Sequence, residues 1–384
     1  MSHGLDDLAV DRLEALRQRR SSKWLAYPAD VLPLTVAEMD YPLAPAVAEA
    51  LHDAVNRSDV GYASAASGLG DAFAGFAGRR WGWDVDAASV TAVTDVGTGV
   101  VQLLRVLTRP GDAVVINTPV YPPFFDWVPE AGATLLPVPL AEGDAGWRLD
   151  LPALEAAFAT RPAVYLLCNP HNPVGCAHTA SDLEAVVQLA RSHGVRIISD
   201  EIHAPLVLPG ATFTPLLTVP GASDLAISVL SASKAWNLAG LKCAVTITAA
   251  PEMASVVAGF PPDTRWRTGH FGVIAAMAAF DDGEGWLDQL LVTLDRRRSE
   301  LSALLAQRLP AIAWHPPEAT YLAWLNCRSM GDGDGPWGLF LERGRVALEP
   351  GLKFGPPGSG YVRLNFATST EILQEAITRM ARCG

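Results

Sequence analysis

The phrase Ser231-Ala232-Ser233-Lys234 directly follows an apolar run, Ala226–Leu230, that reads as a buried strand. A lysine among small residues can sit in a tight, partly desolvated pocket. Desolvation and nearby cations lower an amine's pKa and make it a nucleophile toward an aldehyde. The hydroxyls of Ser231 and Ser233 can face an anionic group. Lys242, eight residues on, adds a second cation suited to a phosphate. The same four residues also fit a plain surface loop.

Other strand ends carry polar residues of the same kind. In Ser199-Asp200-Glu201-Ile202-His203, Asp200 ends an apolar run. A buried aspartate is costly unless it meets a cation. A protonated pyridine nitrogen is such a cation, and an aspartate beside it keeps the ring an electron sink. His203 could bond a phenolic oxygen on that ring. Asp200 also fits an N-cap. In Cys168-Asn169-Pro170-His171-Asn172-Pro173-Val174-Gly175, two Asn-Pro steps make Asn172 a placed amide donor for the same oxygen, or part of a structural turn. His171 and His178 read as loop histidines, because no cysteine or carboxylate stands at metal spacing. Asp95-Val96-Gly97-Thr98-Gly99 precedes a helix expected over 100–107. Helix N-terminal amides bind phosphate, and glycine allows close approach. Neither a full G-x-G-x-x-G nor a Gly-Lys-Ser/Thr is present, which argues against dinucleotide and P-loop readings. Tyr121, in Pro119-Val120-Tyr121-Pro122-Pro123-Phe124, could stack on a flat ring or fill a core. Arg363, in Tyr361-Val362-Arg363-Leu364-Asn365-Phe366, lies in an apolar run and needs an anion: a substrate carboxylate or an internal partner.

Elements must bring these groups together. Apolar strands are expected at 113–117, Val164–Cys168, 195–199, Ala226–Leu230 and 244–248. They alternate with helices, including one over 181–193 capped by Ser181 and ended by Gly194. This implies a mostly parallel, buried sheet, with ligands bound beyond the carboxyl ends of its strands. Helical periodicity also marks residues 6–19, through Leu8, Leu13 and Leu16, and residues 44–55. A long helix over 285–307 leads into a smaller C-terminal unit. The Gly- and Asp-rich stretch 330–338 contains Asp332-Gly333-Asp334-Gly335. A calcium loop would need an acidic residue where Arg343 stands, so a surface loop fits better.

The 384 residues are 49% hydrophobic and 18% charged, enough apolar material for a sizeable core. The net charge of −12 disfavours nucleic acid and anionic membranes as partners. Five irregularly spaced cysteines without a C-x-x-C suit a reducing cytoplasm. The charged N-terminal stretch lacks the apolar core of a signal peptide, and the apolar runs are too short to span a bilayer.

Taken in order, these motifs resemble the fold-type I enzymes of the class I/II aminotransferase superfamily, which depend on pyridoxal 5′-phosphate (PLP). More narrowly, they resemble the MalY/PatB group of cystathionine β-lyases, or C–S lyases. The phrases typical of that group are Leu167-Cys168-Asn169-Pro170-His171-Asn172-Pro173, Asp200-Glu201-Ile202-His203 and Asn237-Leu238-Ala239-Gly240-Leu241. Lys23-Trp24, Ala37-Glu38-Met39-Asp40 and Thr320-Tyr321-Leu322 agree. The resemblance implies a large domain with a mostly parallel seven-stranded sheet between helices, and a smaller α/β C-terminal domain. The expected division is an N-terminal segment to residue 45, a PLP-binding domain over 46–284 and a small domain over 285–384.

The resemblance also implies roles. Lys234 is the Schiff-base lysine and proton shuttle, and Asp200 the pyridinium partner. Asn172 and His203 face the cofactor's phenolic oxygen, and Tyr121 stacks on its ring. Gly97, Thr98, Ser231, Ser233 and Lys242 hold its phosphate. Tyr62 reaches the phosphate of a neighbouring subunit, which implies a homodimer with shared sites. Arg363 clamps the substrate carboxylate, with Ala37 and Asn172 also on the substrate side. The chain departs from the group at Glu38, usually Asp; at Thr35, near which the group has a tryptophan; at Asp95-Val96-Gly97, often Pro-Gly-Val; at Pro205; and at Ala319. The function expected from the resemblance is β-elimination from an S-substituted cysteine. A PLP aminotransferase is the alternative, and a regulatory protein keeping the fold a further one.

Overall fold

The computed structural model describes residues 7–64, 68–144, 146–331 and 335–383. Seven strands form the central sheet: β1 (Val90–Val93), β2 (Ala113–Thr118), β3 (Thr134–Pro139), β4 (Val164–Cys168), β5 (Arg196–Asp200), β6 (Ala226–Leu230) and β7 (Ala244–Ile247). Their spatial order is β1-β7-β6-β5-β4-β2-β3. Strand β7 runs antiparallel to both neighbours, and the other pairs are parallel. The strands are apolar at consecutive positions because both faces are covered. On one face Leu166, Ile198 and Ile227 pack against Val100, Leu103 and Leu104 of α2 (Val96–Leu107); α1 is Pro45–Asn56. On the other, Tyr165, Leu167 and Ile197 meet Leu183, Val186 and Val187 of α3 (Ala180–His193).

After the long helix α4 (Glu284–Arg308) comes a four-stranded antiparallel sheet. It comprises β8 (Ala313–Trp314), β9 (Leu322–Asn326), β10 (Glu349–Pro350) and β11 (Tyr361–Asn365), in the order β8-β9-β11-β10. The N-terminal segment joins this unit. Leu32–Pro33 pairs in parallel with Val346–Ala347, and the Asn365 amide donates to the Leu34 carbonyl.

Three expectations from the sequence need correction. Helix α3 is capped by Thr179 rather than Ser181. The Thr179 hydroxyl accepts from the Asp182 amide and the Asp182 carboxylate accepts from the Thr179 amide, a reciprocal capping box. Helix α2 starts at Val96 rather than at residue 100, because the Asp95 carboxylate accepts from the Thr98 amide and organises the first turn. The helix expected over 6–19 shrinks to Leu13–Leu16, followed by another turn at Ser22–Leu25. Its early residues bond to α4 instead: the Leu8 amide donates to Thr293 Oγ1, and Asp7 pairs with Arg296 and Arg297. The weighed calcium loop falls partly on residues 332–334, outside the described residues. Among the described residues no helix is long and apolar enough to cross a membrane.

Candidate active site

Strands β4, β5 and β6 lie side by side and parallel, so Cys168, Asp200 and the turn after Leu230 share one edge of the sheet. A cavity of about 300 Å³ opens there, lined by residues that include Lys234, Asp200, Asn172, His203 and Tyr121. Its volume is at the lower end of small-molecule pockets.

Lys234 follows β6 and is half-buried. Its Nζ donates to the Ala37 carbonyl at 3.0 Å. The same carbonyl accepts the Tyr321 hydroxyl at 3.0 Å. Burial, reinforced by the Arg363 cation, pushes the Lys234 ammonium down to about 8. Asp200 ends β5 and is buried. Burial pushes its carboxyl up to about 7, against the opposing pull of the Ile202 amide and of Lys234. That amide donates to Oδ1 at 3.1 Å. A carboxylate so desolvated, on a cavity wall, calls for a cation from a ligand. His203 is held neutral, its pKa down to about 3, chiefly by burial. Its Nδ1 has no hydrogen-bond partner among the described residues.

Asn172 Oδ1 accepts from Arg363 Nη1 at 3.0 Å. Its oxygen is thereby engaged, which leaves the NH₂ group for the cavity. Arg363 is itself buried on β11, behind Asn172 rather than on the cavity wall. It donates to the Thr35 carbonyl at 2.9 Å, and its guanidinium lies 4.9 Å from the Phe354 ring centre. Tyr121 packs edge-on against Trp127, with ring centres 5.9 Å apart. Burial raises its pKa, so it stays a neutral phenol.

At the far end stand Gly97, Ser231, Ser233 and Lys242. A Cβ on Gly97 would meet the Trp127 ring at 2.8 Å, so only glycine fits this turn of α2. Ser231 donates to the Cys243 carbonyl at 2.6 Å and accepts from the Ser233 amide at 3.1 Å. Lys242 Nζ pairs with Asp95 Oδ2 at 3.0 Å.

The cavity thus gathers Ala37, Gly97, Tyr121, Asn172, Asp200, His203, Ser231, Ser233, Lys234 and Lys242. Thr98 stands just behind it, its amide taken by Asp95. Tyr62 is not there: it is 82% exposed and touches Trp266. The structure adds groups to which the sequence motifs gave no role. Asp95, Trp127 and Cys243 line the cavity, and Tyr321 reaches it through its hydrogen bond to the Ala37 carbonyl. A capping aspartate before a glycine-rich turn was a readable signal for Asp95. Tyr321 was marked only through the phrase Thr320-Tyr321-Leu322, which carried no role. The donors fit PLP: a desolvated carboxylate for a ring nitrogen, an unpartnered histidine and a free amide for a ring oxygen, a lowered-pKa amine for an aldehyde, and hydroxyls, backbone and a cation for a phosphate.

The comparisons agree with this geometry. The family model for aminotransferase class I and II matches residues 29–380. A Mycobacterium leprae protein, provisionally named a cystathionine beta-lyase, is 46% identical over 99% of this chain and 98% of its own. The cystathionine beta-lyase PatB of Bacillus subtilis is 34% identical over 96% of this chain and 98% of its own. A crystal structure from Corynebacterium diphtheriae, provisionally a PLP-dependent beta-cystathionase, matches with a TM-score of 0.93 at 35% identity, covering 98% of both chains. The fold is therefore fold-type I, and the chain belongs to the aminotransferase class I and II family.

Proposed function

We propose that the chain is a PLP-dependent C–S β-lyase that converts an S-substituted L-cysteine and water to a thiol, pyruvate and ammonia. The carrying observation is the pairing of a low-pKa lysine with a desolvated, cation-seeking aspartate on one cavity wall. Relatives named as cystathionine beta-lyases match nearly the whole chain, which supports elimination over transamination.

When bound, PLP supplies a protonated ring that takes up the electron pair left at the substrate's Cα. Asp200 would keep the proton on that ring's nitrogen. Asn172 and His203 would hold the ring oxygen, and Tyr121 would pack on the ring. Gly97, Thr98, Ser231, Ser233 and Lys242 would hold the phosphate. Arg363 is our candidate for the substrate carboxylate: its buried Nε has no partner among the described residues, and its Nη1 meets the cavity wall at Asn172. Lys234 would hold the cofactor's aldehyde carbon and, as a free amine, would take the Cα proton. The Ala37 carbonyl fixes its Nζ in place for that step. The resulting ammonium can return the proton to the departing sulfur. Tyr62 and Trp266, 82% and 62% exposed, mark the surface where a second copy would complete the site. The five free cysteines accord with a reducing cytoplasm.

The test omits keto acid. With an S-substituted cysteine alone, thiol, pyruvate and ammonia are expected in equal amounts. Turnover that appears only when a keto acid is added would make the protein an aminotransferase. Absence of turnover from a PLP-loaded protein across a panel of cysteine conjugates would point to a binding role.

A further inference from the structure

Among the described residues lining the cavity, the cations are Lys234 and Lys242. Lys234 serves the aldehyde, so Lys242 is the cation left for a phosphate. It is not free. Its Nζ lies 3.0 Å from Asp95 Oδ2, while Asp95 Oδ1 takes the Thr98 amide at 2.8 Å. Two of the groups suited to a phosphate therefore already hold a carboxylate. Asp95 lines the same cavity end as Gly97, Ser231 and Ser233. It stands at the N-terminus of a 12-residue helix, where an anion is favoured. Burial raises its carboxyl, but the Thr98 amide and Lys242 outweigh that and hold it below its usual value, so it is anionic at neutral pH. Lys242 keeps a left-handed backbone, φ +60°, a conformation that non-glycine residues seldom adopt.

We propose that Asp95 is a built-in rival of the cofactor's phosphate, occupying the Thr98 amide and the Lys242 ammonium and so weakening PLP retention. The proposal rests on the PLP reading above. A phosphate entering this end must displace the carboxylate or share Lys242 with it, and the two anions repel at close range. The cradle of a single chain then offers almost no net positive charge. Hydroxyls and helix amides must hold the phosphate, with whatever a second copy adds.

Asp95→Asn separates this role from simple scaffolding. Asparagine still accepts from the Thr98 amide, so the cap of α2 survives while the charge goes. Cofactor-stripped protein is titrated with PLP, followed by tryptophan quenching and visible absorbance, and in parallel with pyridoxal, which lacks the phosphate. PLP is expected to bind the variant about tenfold more tightly than wild type, with pyridoxal unchanged. Asp95→Ser, another capping residue, is expected to show the same gain and covers the case where the asparagine variant misfolds. Weaker or unchanged PLP binding in both variants would overturn the proposal, because a carboxylate that merely aims Lys242 must help the phosphate. Failure of wild type to take up PLP at all would sink the cofactor reading instead.

Discussion

At one end of the cavity Asp200 and His203 are at most 3% exposed; at the other the side chains of Lys242 and Asp95 are 55% and 38% exposed. The first end is tuned by desolvation. It pushes Asp200 up to about 7 and His203 down to about 3. The second end is set by charge against charge in partial contact with solvent. Desolvated groups interact strongly, and losing one leaves a partner stranded. Half-exposed pairs are screened, and each contributes little. The same ligand would therefore be held rigidly at its reacting ring and loosely at its phosphate.

The largest expected effect tests the sealed end. Asp200→Ala removes the buried partner of a ring cation, a loss worth about 3–5 kcal/mol in such pairs. Turnover of an S-substituted cysteine at saturating PLP is expected to fall by about 10²–10³-fold. A fall of only a few-fold would mean that burial does not set this end's chemistry, and the contrast between the two ends would collapse.

A second expectation sharpens the contrast through pH. An amine attacks an aldehyde only when neutral. Burial lowers Lys234 from its ordinary value to about 8, so its neutral fraction grows as pH rises and is nearly complete above that value. The rate at which stripped protein takes up PLP, read by visible absorbance, should climb about tenfold per pH unit below about 8 and then level off. A climb that continues past pH 10 would mean that Lys234 is hydrated like a surface lysine, which would move it to the open end's class.

Much of the fold was legible because its signals are local. Val164–Cys168 and Ala226–Leu230 read as strands because a doubly covered parallel strand is apolar at every position. Lys234, Asp200 and Asn172 were legible because polar residues directly after such runs must lie at the sheet's carboxyl edge. Contacts made across long sequence distances were not legible. Asp95 and Lys242 are 147 residues apart, and nothing local to either predicts their pairing. The Ala37 carbonyl that holds Lys234 is 197 residues away from it, and Tyr321 joins it from 284 residues away. The N-terminal helix failed for the same reason. Its leucines have helical spacing, but Asp7 and Leu8 find partners on α4 that a local pattern cannot anticipate.

The smallest expected effect lies at the open end and decides whether the contrast is one of burial or only of position. Lys242→Gln removes a cation that is 55% exposed and already paired with Asp95. If exposure governs, PLP affinity should drop only a few-fold, since half-exposed ion pairs contribute about 0–1 kcal/mol. The drop should shrink further in 0.5 M salt, where charges in contact with solvent are screened. In an Asp95→Asn background the freed ammonium meets the phosphate alone, so the same substitution should cost more than it does in wild type. Equilibrium PLP titrations of the four proteins (wild type, each single variant and the double) give the coupling directly. A loss at Lys242 as large as that at Asp200, insensitive to salt, would show that the phosphate end is as desolvated in the loaded protein as the ring end. The openness seen in the single chain would then be closed in the loaded protein.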